Sequence, residues 1–113
     1  MHLSPLIVAF LDTNAALRYL WGDSPKESTP AVQLIETAPS GSLRLSEVVV
    51  AEIVWSMHKT FSRAEIATAL QRLLANESIA ADPVMSDTVI HYSKTNLDFA
   101  DCLLAAKPQA YPW

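Results

Sequence analysis

The spacing of apolar and polar residues changes several times along the chain, and each change marks an element. Leu6-Ile-Val-Ala-Phe-Leu11 is an unbroken apolar run ending at Asp12. Because it does not alternate, it predicts a strand covered on both faces, as in a parallel sheet. From Thr13 to Trp21 the spacing becomes helical, with Leu17, Leu20 and Trp21 on one side, and Gly22-Asp23-Ser24-Pro25 reads as its stop. Pro30 suits the first turn of a second helix reaching Ala38, since its missing N–H is not needed there. Ser42 to Leu45 predicts a second strand. Ser46 is the expected N-cap of a helix running to about Lys59, with Glu47 favourable in its first turn. Ser62-Arg-Ala-Glu65 is a capping box, which opens a helix over Arg63–Asn76 with Ile66, Ala69, Leu70, Leu73 and Leu74 on one face. Ser78 to Asp82 is a short third strand closed by Pro83, and Met85 to Thr95 is helical. Asn96-Leu97-Asp98 then caps a last helix from Phe99 to about Lys107, which Pro108 is expected to end. Strands alternating with helix pairs predict an α/β fold with a mostly parallel central sheet and helices on both faces.

Composition narrows the class. A chain of 113 residues fits one domain over 1–113, and at this size it buries roughly two thirds of its unfolded surface without needing disulfides. With 50% apolar and 18% charged residues it is a folding sequence, not a disordered one. Eight Lys/Arg against twelve Asp/Glu give a net charge of −4, which excludes a broad basic nucleic-acid footprint while leaving room for a local basic rim. Arg18, Arg44, Lys59 and Lys94 are the candidates for that rim. Cys102 is the single cysteine, so neither a disulfide framework nor a cysteine zinc site is available, and a reducing cytoplasmic compartment is expected. No apolar run reaches membrane-spanning length, and the first residues lack a signal-peptide pattern.

Acids in apolar surroundings carry the candidate chemistry. Asp12 lies where the first strand meets a helix, the end of an open α/β sheet at which ligands bind; it could equally be a helix cap. Glu52 interrupts Val48-Val-Val-Ala-Glu-Ile-Val-Trp55. Burying an unpaired carboxylate is costly, so it needs a partner or a water-facing position shared with Ser56 and Lys59. Asp98 and Asp101 open the last helix, where the dipole favours both, although Asp101 is set among Phe99, Ala100, Cys102, Leu103 and Leu104. Gathered in one cleft, such acids suit Mg²⁺ or Mn²⁺, which can activate water and stabilise a phosphodiester transition state. No Walker loop, dinucleotide motif or nucleophile elbow competes, and His2, His58 and His91 lack metal-ligand spacing. Tyr19, Trp21 and Trp55 read as core residues.

Leu11-Asp-Thr-Asn14 after an apolar strand, Ser46-Glu-Val-Val-Val-Ala-Glu52 after a short one, and Asp98-Phe-Ala-Asp-Cys-Leu-Leu-Ala-Ala106 resemble the PIN domain. The toxin ribonucleases of VapC type are the nearest likeness. The resemblance implies a three-layer α/β domain and a Mg²⁺- or Mn²⁺-dependent endoribonuclease acting on single-stranded RNA. It also implies a cytoplasmic, dimeric toxin restrained by a cognate antitoxin. On it, Asp12, Glu52 and Asp101 match the catalytic, metal-holding acids, with Asp98 a further candidate ligand. Thr13 and Asn14 match the residues supporting the metal ligands, and Ser46 opens the helix bearing Glu52. The alternative is a catalytically impaired PIN remnant that binds an antitoxin or a sister subunit. Family members continue into further strands and a fourth acid, whereas here Lys107 is followed by Pro-Gln-Ala-Tyr-Pro-Trp113. The C-terminal strands are therefore expected to be missing, which would leave the first strand as an edge that a second subunit or an antitoxin covers.

Overall fold

A computed structural model describes residues 9–21 and 25–110. Among them are three strands, β1 (Ala9–Phe10), β2 (Leu43–Arg44) and β3 (Ile79–Ala80). The six helices are α1 (Thr13–Trp21), α2 (Pro25–Thr37), α3 (Glu47–Met57), α4 (Arg63–Leu74), α5 (Val84–Lys94) and α6 (Phe99–Ala110). Residues 6–8 of the expected first strand, the stop at 22–24 and the tail 111–113 lie outside the described residues.

The strands form one parallel sheet in the order β1-β2-β3, with Ala9 opposite Leu43 and Leu43 opposite Ile79. Leu11 N–H donates to the Arg44 carbonyl at 2.9 Å and Leu45 N–H to the Ala80 carbonyl at 2.9 Å, extending the ladder past each strand. All three strands therefore end on one edge, and the connections leaving that edge begin α1, α3 and α5. The α/β class expected from the alternation is the observed one. Leu11, Leu43, Leu45, Val50, Ile53, Ile66, Leu70, Leu73, Met85 and Val89 form the core between the sheet and the helices. Cys102 is fully buried there, as a small apolar residue.

Local capping explains the helix starts. Ser46 Oγ accepts from Val49 N–H at 3.2 Å at the head of α3. At α4 the capping box is complete: Glu65 N–H donates to Ser62 Oγ at 3.1 Å, and Ser62 N–H donates to Glu65 Oε1 at 2.9 Å. Each device satisfies donors that the helix itself cannot.

Three expectations need correction. Of the two readings of the first strand, covered on both faces or left as an edge, the described residues show the edge: β1 ends the strand order, Ala9 is exposed and Phe10 is 72% exposed, so of residues 9–11 only Leu11 enters the core. Among the described residues no strand lies beyond β1, and an apolar run cannot by itself distinguish an edge from a centre. The second helix starts at Pro25 instead of Pro30. A proline at the first helical position costs nothing, and Pro25 fills that role as well as Pro30 would. The last helix continues through Pro108 to Ala110. A proline there deprives only the carbonyl at i−4 of its partner, on Leu104, a residue 61% exposed and close to water.

Candidate active site

The carboxyl edge of the sheet gathers the first two candidate acids. Asp12 follows β1 after Leu11, and its Oδ1 accepts from Ala15 N–H at 2.7 Å, so it caps α1. The cap and a second role are compatible, because a carboxylate accepts several bonds. Thr13 Oγ1 donates to Glu52 Oε1 at 2.6 Å. That bond fastens a carboxylate from the middle of α3 to the residue next to Asp12, across separate elements. Glu52 is exposed, so its setting in an apolar stretch carries no burial penalty: it has both a partner and water. Asn14 is exposed on the first turn of α1, beside Thr13. Ser46 supports Glu52 only indirectly, by starting α3.

The third candidate stands on a different element. Asp98 is at the head of α6, where its carbonyl accepts from Cys102 N–H at 3.0 Å, and Asp101 is exposed in the first turn. α6 packs against α3, and the two are also joined by Lys107 Nζ to Glu47 Oε1 at 3.1 Å. The structure thus links Asp12 to Glu52 through Thr13, while Asp101 is not joined to them by a hydrogen bond. Among the described residues no three His, Cys, Asp or Glu side chains form a group that could hold a metal ion.

The family profile of the PIN domain matches residues 9–111. The chain belongs to the PIN domain family. PIN domains are a family of metal-dependent nucleases, which generally use divalent metals and act on nucleic acid. The chain matches no curated protein and no solved structure. No helix among the described residues of this PIN domain is long and apolar enough to cross a membrane.

The donor chemistry fits the metal that the family implies. Asp12, Glu52 and Asp101 are exposed carboxylates, and none is ion-paired to a Lys or Arg among the described residues. Such hard oxygen donors suit Mg²⁺ or Mn²⁺.

Two features of this region escaped the sequence. Trp55, read as core, is 67% exposed on α3. Its ring centroid lies 4.8 Å from that of His58, and Lys59 Nζ is 5.6 Å from it. The i, i+3, i+4 spacing was the signal that these side chains share a face. Arg63 is the other. Its Nη2 donates to the Tyr92 carbonyl at 2.9 Å and to the Leu97 carbonyl at 2.6 Å, its Nε donates to Tyr92 at 3.2 Å, and the guanidinium sits 3.8 Å from the Tyr92 ring centroid. It clamps the end of α5 to the segment leading into α6 and so positions Asp98 and Asp101. Nothing local in the sequence pointed to this, since the partners are backbone carbonyls far along the chain.

Proposed function

We propose that this PIN domain is a Mg²⁺- or Mn²⁺-dependent endoribonuclease acting on single-stranded RNA, and the toxin half of a VapBC-type toxin–antitoxin pair. The observation that carries the reading is the Thr13–Glu52 bond at 2.6 Å, which fastens a second carboxylate beside Asp12 at the ligand-binding edge of a parallel sheet. Asp12, Glu52 and Asp101 are the residues that hold the cation, with Asp98 as a neighbouring candidate. Thr13 orients Glu52, Asn14 adds a polar group beside it, and Ser46 fixes the start of the helix that carries it. Bound there, the cation supplies activation of water and neutralisation of phosphate charge for phosphodiester hydrolysis. Exposed apolar side chains, Phe10 at 72%, Val48 at 69% and Leu104 at 61%, favour a protein partner as well. The edge of β1, which no strand pairs among the described residues, favours the same, as the place where an antitoxin or a sister subunit in a homodimer docks. The same surfaces would serve the second reading, an impaired PIN remnant that only binds such a partner.

The test is cleavage of a fluorophore-quencher single-stranded RNA by the purified chain with Mn²⁺, Mg²⁺ or EDTA. Metal-dependent cleavage that Asp12→Asn, Glu52→Gln and Asp101→Asn each abolish is the expected result. Absence of cleavage by the parent chain in either metal, with an antitoxin still bound, would leave the remnant reading.

A further inference from the structure

A pocket of about 510 Å³ opens between α3, α4, the end of α5 and the head of α6. Its walls include Trp55, His58, Phe61, Arg63, Tyr92 and Asp98. The volume falls within the roughly 300–1,000 Å³ of small-ligand pockets, with room for a nucleobase and its ribose. The pocket is lined mainly by aromatic and aliphatic groups, and its most prominent ring, that of Trp55, remains 67% exposed to solvent. An indole in that setting is a stacking platform, which accepts any base because every base has a π-face.

Charge around the pocket runs against the charge of the whole chain. The protein is net −4, yet Lys59 stands over Trp55 and Arg63 lines the cavity. Among the described residues neither Lys59 nor Arg63 is in an ion pair: the Arg63 guanidinium is held by backbone carbonyls, and Lys59 by the indole face. Among the described residues no carboxylate therefore competes with a phosphate for either cation. Asp98 closes the wall on the side of α6, one helical turn before Asp101. A base seated on Trp55 thus has cations beside its phosphate and the candidate acids next along α3 and α6.

We propose that this pocket is a nucleobase subsite for single-stranded RNA, with Trp55 stacking one base and Lys59 and Arg63 attracting the flanking phosphates. The inference rests on the ribonuclease reading for its ligand class but concerns binding, not cleavage. It is therefore tested in EDTA, by fluorescence anisotropy of a fluorescein-labelled single-stranded oligoribonucleotide added to the full chain. Trp55→Ala should weaken binding by roughly fivefold to a hundredfold, the worth of one stacked base, while Trp55→Phe keeps most of the affinity. Lys59→Ala should lower the slope of log K against log salt by about 0.7, the contribution of one phosphate contact. Since Trp55 and Lys59 are both on the surface, unchanged circular dichroism spectra are expected for all three variants. Equal affinity of parent and Trp55→Ala chains overturns the subsite and leaves the pocket to an apolar side chain of a protein partner; so does a parent chain that binds no oligonucleotide. Cleavage in Mn²⁺ is read separately. A chain that binds RNA through Trp55 but never cleaves keeps the subsite and sinks the nuclease reading, whereas one that cleaves with Trp55→Ala fully bound does the reverse.

Discussion

Replacing Thr13 by Val removes one hydroxyl at nearly constant volume and so isolates the bond that fastens Glu52 beside Asp12. Thr13 is half-buried and Glu52 exposed, so water competes for the bond and the loss of folding stability falls below the range for a charged acceptor, at about 0.5–1 kcal/mol. The larger effect is expected on the metal. Groups that orient metal ligands typically account for about 10- to 100-fold in affinity. With Mn²⁺ at about a hundred times the parent dissociation constant, binding stabilises the parent fold by about 2.7 kcal/mol. The same concentration then stabilises Thr13→Val by only about 1.4 kcal/mol for a tenfold loss, or about 0.4 kcal/mol for a hundredfold one. Urea unfolding with and without Mn²⁺, followed by far-UV circular dichroism, measures both quantities on one sample. A Thr13→Val chain with the full Mn²⁺ gain, beside an Asp12→Asn chain that has lost it, would show that Thr13 does not position a ligand.

Further outcomes follow from the same structure. Leu70→Ala should cost about 2–5 kcal/mol in chemical unfolding, because Leu70 is wholly enclosed in the core. Ser62→Ala should cost about 1 kcal/mol by the same assay, through loss of the capping box of α4. Lys107→Ala should change stability by well under about 1 kcal/mol, since its pair with Glu47 is partly exposed. Burial pushes the Tyr92 phenol above its ordinary value against the opposing pull of Arg63. The unfolded chain thus loses that proton near pH 10 while the folded one still keeps it. Stability is unaffected below that pH and falls as pH rises towards the folded value, and Tyr92→Phe should blunt the fall seen in unfolding curves at alkaline pH.

The features legible in the sequence are those decided within a few residues. The Ser62–Glu65 capping box, the Ser46 cap, the start of α1 behind Asp12 and the alternation of strands with helix pairs all appear where the residues predict them. Such caps and periods are fixed by hydrogen bonds and side-chain spacing inside one turn or one strand. The three acidic segments that resemble the PIN domain are legible for a related reason, since each sits at the start of an element or soon after one. Tertiary structure alone decided the rest. It left Phe10 of β1 open to solvent, set Trp55 facing solvent instead of the core, and ran α6 through Pro108. It also brought Thr13 to Glu52 and Arg63 to the carbonyls of Tyr92 and Leu97. A residue's own neighbours in the chain set its backbone conformation, but its exposure and its distant partners depend on which element packs opposite, and that is fixed only when the helices close over the sheet.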